Sequence, residues 1–178
     1  EAVLEVGFGG RLDATAECDP ELVLLVPMEV EHAELLGPSL ADIAGHDVAL
    51  CRFGRTCYFA PQVPEVAALL TARFASQGCA GGLVPPAEAG TGGRLRLRLP
   101  NGEALETTLG LAGGFQRTNA ALAAAGASAL GCSAAAIAAG LAAVRRPGRF
   151  ERVARRPEVI IDGAHTPLSS QALRAAVE

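Results

Sequence analysis

The segment from Glu5 to Thr15 is the densest group of residues whose types could do chemistry. It reads Glu-Val-Gly-Phe-Gly-Gly-Arg-Leu-Asp-Ala-Thr, and Glu5 stands in an otherwise apolar run. A buried carboxylate is costly unless it is paired or binds a cation. The glycines would let a backbone approach a ligand closely, but Leu12 replaces the last glycine of the dinucleotide fingerprint Gly-x-Gly-x-x-Gly. Two interpretations of Glu5 stay open: a cation ligand, or an ion pair with Arg11 beside a tight turn.

His32 is the second candidate, because it follows the apolar run Leu22–Val26 by a few residues. If two parallel strands end side by side, this imidazole and the Glu5 carboxylate meet at the sheet edge where α/β folds place ligands. Mg²⁺ bound to a nucleotide phosphate fits there, since it takes one or two protein groups and keeps several waters. The alternative is a surface histidine at a helix start.

The elements that must position these residues follow from apolar patterning. Ala2–Val6 and Leu22–Val26 are continuous apolar runs, which favour strands buried on both faces of a parallel sheet in an α/β structure. Apolar spacing predicts a helix between Pro38 and Ala49, with Ser39 as its N-cap, and a second helix from Pro64 to Ser76.

The second half of the chain begins with a predicted β-hairpin. Arg94–Leu99 alternates with period two, and Asn101-Gly102 is a type I′ turn signal, so Leu105–Leu111 should return antiparallel. Two Ala-rich helices, Thr118–Leu130 and Ser133–Val144, should pack closely onto a sheet. After them we predict a linker at 145–149, a buried strand at 159–161 and a helix at 169–177.

Composition excludes several function classes. All 15 basic residues are Arg, so this chain offers no Lys for a Schiff base or a phosphate loop, and its net charge of −4 argues against nucleic acid. Five widely spaced cysteines without a C-x-x-C pair favour reduced, mostly buried thiols and a cytoplasmic setting. The longest apolar run is too short for a membrane span. The chain begins without Met and stops inside a predicted helix, so we expect a piece of a longer protein.

Five blocks of sequence carry a resemblance to one family. The chain resembles the folylpolyglutamate synthase/dihydrofolate synthase branch of the Mur ligases, in order and spacing across essentially its whole length. The matching blocks are Leu4–Thr15, Glu31–Gly37 with Ile43-Ala44, Phe115–Ala121, Pro147–Arg149 and Asp162–Pro167.

The resemblance implies a fold and a domain division. It implies an α/β structure with a parallel-rich sheet flanked by helices, formed by the second half of a P-loop-type central ATPase domain with a β-hairpin insertion. The start of a Rossmann-like C-terminal domain would follow, with domains at 1–146 and 147–178. The family's Gly-x-x-Gly-Lys-Ser loop would lie upstream of residue 1.

The resemblance also implies an activity. It is that of an ATP-dependent ligase that activates a carboxylate of folate or dihydropteroate as an acyl phosphate, which L-glutamate attacks to form an amide. ATP would be the co-substrate, Mg²⁺ the cofactor, and the protein a cytoplasmic monomer. The positions that match functional residues of the family are Glu5, His32 and Asp47 for metal, Arg11 and Asp13 for substrate, Gln116, Asn119, Arg149, Asp162 and His165 for ATP, and, among these, Arg149 and His165 for catalysis.

The sequence also departs from the family pattern. Glu31 replaces an Asp, Ala16 and Thr166 replace Asn, and Asp47 stands where the family has a carbamylated Lys that helps hold a second Mg²⁺. His46 could compensate, or His46 and Asp47 could be solvent-facing helix residues. Two alternatives therefore remain: a non-catalytic homologue that binds nucleotide or serves as a structural module, and a Mur-type ligase with another acceptor.

Overall fold

The computed structural model describes residues 2–178, which form two compact units, one ending at Pro85 and the other running from Pro86 to Glu178. The first unit is a three-stranded parallel sheet with helices. Its elements are β1 (Leu22–Leu25), α1 (Ala33–Leu36), α2 (Leu40–Asp47), β2 (Thr56–Phe59), α3 (Pro64–Gln77) and β3 (Ala80–Leu83).

The parallel sheet predicted from the sequence is confirmed, in the order β1-β2-β3. Its hydrophobic core is formed by alternate residues of the strands and by one face of α3. Within it, the rings of Phe59 and Phe74 pack edge to face, with centroids 5.6 Å apart. The predicted α2 and α3 are also confirmed. Ser39 caps α2 in a capping box with Asp42, which satisfies backbone donors at the helix start.

Sequence patterning did not predict β2 and β3. β3 contains Gly81 and Gly82, and glycine is depleted in strands. The structure shows why Gly81 is required, since its φ is +108° and a Cβ there would lie 2.2 Å from the Cys57 carbonyl oxygen. The close approach of β2 and β3 therefore explains the glycine at position 81. The sequence around this position does not indicate that approach.

The strand predicted at Ala2–Val6 is wrong. These residues have no regular secondary structure and are exposed, with Val3 97% accessible. A strand exists through its pairing, and no strand within residues 2–178 pairs with this run. Glu5 is consequently exposed, which removes the burial argument for a cation at this carboxylate.

The second unit begins with an antiparallel sheet and continues with helices and a hairpin. Its elements are β4 (Glu88–Ala89), β5 (Leu95–Arg98), β6 (Ala104–Thr107), α4 (Gln116–Ala129), α5 (Ala134–Ala143), β7 (Glu151–Arg155), β8 (Glu158–Ile161) and α6 (Pro167–Val177).

The hairpin and the Ala-rich helices are confirmed. Leu97 pairs with Leu105 across β5 and β6, and both side chains are buried. The helix α5 packs against β6, where the Thr107 hydroxyl donates a hydrogen bond to the Ala138 carbonyl at 3.0 Å. The predicted N-cap of α5 is confirmed as well, since the Ser133 hydroxyl accepts from the Ala136 N–H.

The last strand differs from its prediction. Residues 159–161 do lie in a strand, β8, but it pairs antiparallel with β7, and Val159 and Ile161 are 40% and 48% exposed. A continuous apolar run is buried only where other elements cover both of its faces, and no element of residues 86–178 covers both faces of β8.

Residues 144–150 carry no helix or strand, in keeping with a linker, while the domain limits at 146 and 147 stay a prediction. Within residues 2–178, every helix is too short or too polar to cross a bilayer.

Candidate functional site

The loop before β1 is organised by the carboxylate of Asp13. One of its oxygens accepts from the backbone N–H groups of Gly7 and Phe8, both at 3.1 Å, and the other accepts from the N–H and hydroxyl of Thr15, at 2.9 and 2.7 Å. These hydrogen bonds, those from Thr15 foremost, hold the pKa of Asp13 below its ordinary value. Asp13 therefore shapes the loop, and its predicted contact with substrate stays a prediction.

The same loop docks on the end of α2. The N–H of Gly10 donates to Asp47 Oδ1 at 3.0 Å, and Gly10 is buried. A Cβ on Gly10 would lie 2.7 Å from Leu50 Cδ1 and 3.3 Å from Asp47 Cα, so the contact requires glycine. One oxygen of Asp47 is thus engaged by the chain itself, and its predicted role as a metal ligand stays a prediction.

His32 lies beside this loop. Its ring contacts Phe8 edge to face, with centroids 4.7 Å apart, and its Nδ1 is 3.9 Å from Glu34 Oε1. The backbone of His32 is left-handed, with φ 54° and ψ 35°, which is uncommon outside glycine and recurs at functional sites. His32 is exposed and directly precedes α1, so the alternative of a surface histidine at a helix start also fits the structure.

The alternative ion pair of Glu5 with Arg11 is wrong, because no such pair forms among residues 2–178. The same residues contain no group of three or more His, Cys, Asp or Glu side chains placed to hold a metal ion. The exposed Glu5 carboxylate suits Mg²⁺, which prefers oxygen ligands and keeps most of its water and phosphate ligands, whereas an imidazole such as that of His32 is an unusual ligand for this ion. The carboxylate therefore fits a cation that arrives with a nucleotide.

Arg11 borders an open cleft of about 360 Å³ that sequence reasoning did not find. It lies against one face of α2, and its lining residues are Arg11, Leu36, Gly37, Pro38, Ala41, Asp42, Gly45 and His46. The pKa of Asp42 is held below its ordinary value, mainly by hydrogen bonds from Ser39 and in smaller part by the charge of His46. His46 is partly exposed and lines this cleft, while its Nδ1 is buried without a hydrogen-bond partner among residues 2–178, so whether His46 compensates for the missing Lys stays a prediction.

In the second unit, the structure brings two of the predicted ATP contacts together. Gln116 and Asn119 lie in the first turn of α4, where the Asn119 amide donates to Gln116 Oε1 at 3.0 Å. Gln116 is 6% exposed, while Asn119 is exposed. The pair therefore forms one polar patch at the start of this helix.

Of the other three predicted ATP contacts, Asp162 and His165 lie in the turn after β8, and Arg149 contacts this turn from the segment before β7. Asp162 Oδ1 accepts from Ala164 N–H and forms an Asx turn, and Oδ2 accepts from Phe150 N–H, both at 2.7 Å. His165 Nδ1 lies 2.9 Å from the Gly163 carbonyl oxygen, and the guanidinium of Arg149 lies against Gly163. Arg149, Asp162 and His165 thus form one local cluster.

Thr166, one of the departures from the family pattern, has a clear structural role. Its hydroxyl accepts from Ser169 N–H and completes a capping box at the start of α6. Asparagine and threonine are both good N-caps, so this substitution retains the cap.

The five cysteines are all free thiols. Cys51 and Cys57 are buried and Cys79 is partly buried, but Cys18 and Cys132 are exposed, so the prediction of mostly buried thiols is wrong. A hydrogen bond with the Cys51 thiol, together with burial, raises the pKa of Cys57 far above its ordinary value. Burial raises the pKa of Cys79 to about 11. Cys57 and Cys79 therefore stay protonated at physiological pH, which argues against a nucleophilic role for these two thiols.

Comparison with known proteins places these features in context. The chain is 32% identical to the dihydrofolate synthase/folylpolyglutamate synthase of Mycobacterium tuberculosis, over 97% of this chain and 39% of that protein. It is 31% identical to the folylpolyglutamate synthase of Lacticaseibacillus casei, over 93% of this chain and 42% of that protein. The chain thus spans about two fifths of the length of these relatives, and no family model matches it.

Solved structures of folylpolyglutamate synthases also match this chain. The structure of Mycobacterium tuberculosis folylpolyglutamate synthase complexed with ADP matches 97% of this chain and 42% of that one, with a TM-score of 0.86 and 30% identity. A folylpolyglutamate synthase complex with AMPPCP and folate matches 98% of this chain and 46% of that one, with a TM-score of 0.84 and 30% identity. These matches confirm the α/β fold.

Proposed function

Because this chain is a homologue of the folylpolyglutamate synthases and dihydrofolate synthases, we propose that the complete protein is an ATP-dependent ligase. It joins L-glutamate to folate or dihydropteroate by an amide bond through an acyl-phosphate intermediate. The observation that carries the proposal is the match, over 97% of the chain, to a folylpolyglutamate synthase that holds ADP. The similar complex with AMPPCP and folate supports the same substrate classes.

ATP is held by two groups of residues in this proposal. Gln116 and Asn119 supply amide groups from the start of α4 and contact the nucleotide. Arg149 and His165 face the phosphates, and Asp162 accepts from the ribose. The contacts of Arg149 and Phe150 with the turn that contains Asp162 and His165 support this assignment. A guanidinium stabilises the charge that develops on a transferring phosphoryl group.

The metal and the pterin substrate bind at the loop before β1. Glu5 and His32 hold Mg²⁺, which would neutralise phosphate charge, and the contact of His32 with Phe8 supports a site beside this loop. Arg11 and Asp13 lie in the loop that borders the substrate. Asp47 could add a ligand for a second cation through the oxygen that Gly10 does not use.

A non-catalytic homologue is the second candidate. It is favoured by Asp47, whose short side chain replaces a long carbamylated one and holds the Gly10 N–H. Such a protein would bind Mg-ATP without turning it over. A monomeric, cytoplasmic protein remains part of the proposal, in keeping with the five free thiols.

The test is an amide-ligase assay on the complete protein. With Mg-ATP, L-glutamate and dihydropteroate or folate, we expect release of ADP and phosphate and a product one glutamyl residue heavier by mass spectrometry. Omitting either the pterin or glutamate should abolish product. Binding of Mg-ATP by calorimetry without any turnover would overturn the ligase and favour the second candidate.

A matched pair of arginine variants tests the ATP assignment. Arg149→Ala should lower kcat by about 100-fold or more, because a phosphate contact is lost from the transition state. Arg155→Ala is the control, since Arg155 is exposed and makes no side-chain hydrogen bond or ion pair within residues 2–178. Equal kcat values in the two variants would contradict the role of Arg149.

A further inference from the structure

Gly163 lies where a side chain would collide with the Arg149 guanidinium. A Cβ built on Gly163 would stand 2.7 Å from Arg149 Nη1 and 3.2 Å from its Cζ. The φ of Gly163 is outside the left-handed region, so the backbone itself would accept another residue. A side chain at this position would therefore require the guanidinium to move from where it lies.

The backbone beside Arg149 is tied to the same turn. Phe150 has a left-handed backbone with φ 47°, and its N–H donates to Asp162 Oδ2 at 2.7 Å. A positive φ at a phenylalanine is unfavourable and persists only where neighbouring contacts impose it. Asp162 thus binds the backbone that follows Arg149. Gly163 contacts the guanidinium of Arg149.

The Arg149 guanidinium has no acidic partner among residues 2–178. It forms neither an ion pair nor a hydrogen bond there, whereas Arg152 and Arg174 pair with Glu158 and Glu178 at 2.6 and 2.7 Å. Residues 145–156 contain six arginines and one acid, Glu151, which accepts from the Gly148 N–H. The guanidinium therefore lies against Gly163 without an acidic partner among these residues, and an anion would complete its contacts.

We propose that Gly163 is a positioning residue: its missing side chain lets the Arg149 guanidinium take the orientation in which it meets a nucleotide phosphate. The inference rests on the proposed function, which supplies that phosphate. Gly163 acts through Arg149 and does not itself contact the reacting groups.

The test is a double-mutant cycle in the complete protein. Gly163→Ala should lower kcat about 10- to 100-fold, since a displacement of about 1 Å can cost that much, while KM for the pterin substrate is unchanged. In an Arg149→Ala background, Gly163→Ala should have no further effect. The control is Gly140→Ala, because Gly140 lies in α5 with open space around its Cβ position. A Gly163→Ala enzyme with wild-type kcat, or fully additive effects, would overturn the proposal.

Crystal structures of the complete wild-type and Gly163→Ala proteins separate this inference from the proposed function. We expect the Arg149 guanidinium against Gly163 in the wild type and displaced in the variant. The same orientation in both would refute the positioning role even if the enzyme is active. Absence of turnover in the wild type would refute the ligase, while the guanidinium positions would still decide the role of Gly163.

Discussion

At the scale of single residues, Asp13 and Asp162 show the same behaviour. Each uses both carboxylate oxygens to accept hydrogen bonds from the chain's own donors, and each lies in a turn that holds candidate ligand-binding residues. Short acidic side chains fold such turns because they reach backbone N–H groups two residues on. Both aspartates belong to motifs that match the family. Part of the reason for an aspartate at these positions is that it folds the turn, whether or not it also binds a ligand.

Removing the Asp13 carboxylate should loosen the loop before β1. Asp13→Ala leaves the N–H groups of Gly7, Phe8 and Thr15 without their acceptor, so we expect faster amide hydrogen exchange at these three positions by NMR. Glu17→Ala is the control, since Glu17 is exposed and its side chain makes no hydrogen bond or ion pair with any of residues 2–178. Unchanged exchange in Asp13→Ala would contradict the role given to this carboxylate.

Acidification should have a related effect. Because the folded-state pKa of Asp13 is lowered, its contribution to stability is present above the ordinary value of 3.8 and is lost as the pH falls through the lower, folded-state value. An NMR titration should find the side-chain carboxyl carbon of Asp13 changing below pH 3.8. A midpoint above that value would show that the hydrogen bonds do not favour the ionised form.

At the scale of elements, the contact between the Gly10 loop and the end of α2 depends on the absence of a side chain. Gly10→Ala should destabilise the protein by about 1–3 kcal/mol, because a buried Cβ would press on Leu50 and on the backbone of Asp47. Gly45→Ala is the matched control within α2, where the Cβ position is open and alanine should stabilise the helix by about 0.5–1 kcal/mol. Denaturant unfolding measures both, and equal shifts would contradict the docking contact.

At the scale of the whole molecule, thiol accessibility reports the packing of the described chain. In the native protein a thiol reagent should modify Cys18 and Cys132 quickly, and Cys51 and Cys57 only after unfolding. Cys79 should react slowly, because its pKa of about 11 leaves little thiolate at neutral pH. Mass spectrometry of peptides labelled before and after denaturation checks this order, and early labelling of Cys57 would contradict the buried core around β2.

The sequence by itself determined the features that depend on residues a few positions apart, such as helix caps and turns. Ser39 and Ser133 cap the helices predicted for them, and Asn101-Gly102 closes the predicted hairpin, because caps and turns depend on donors and acceptors a few positions apart. The family resemblance further assigned Arg149, Asp162 and His165 to ATP, and in the structure Arg149 lies against the turn that contains the other two.

Tertiary structure alone decided the features that depend on partners distant in the sequence. The run 2–6 has the apolar residues of a strand but no pairing strand within residues 2–178, while β3 forms despite Gly81 because Cys57 lies beside it. The same holds for the exposure of Glu5 and of β8. It also holds for the hydrogen bond from Gly10 to Asp47 and for the contact of Arg149 with Gly163, because each joins residues far apart in the sequence. The physical reason is that strand pairing, burial and close approach are properties of two segments together, and a pattern in one segment does not contain the other.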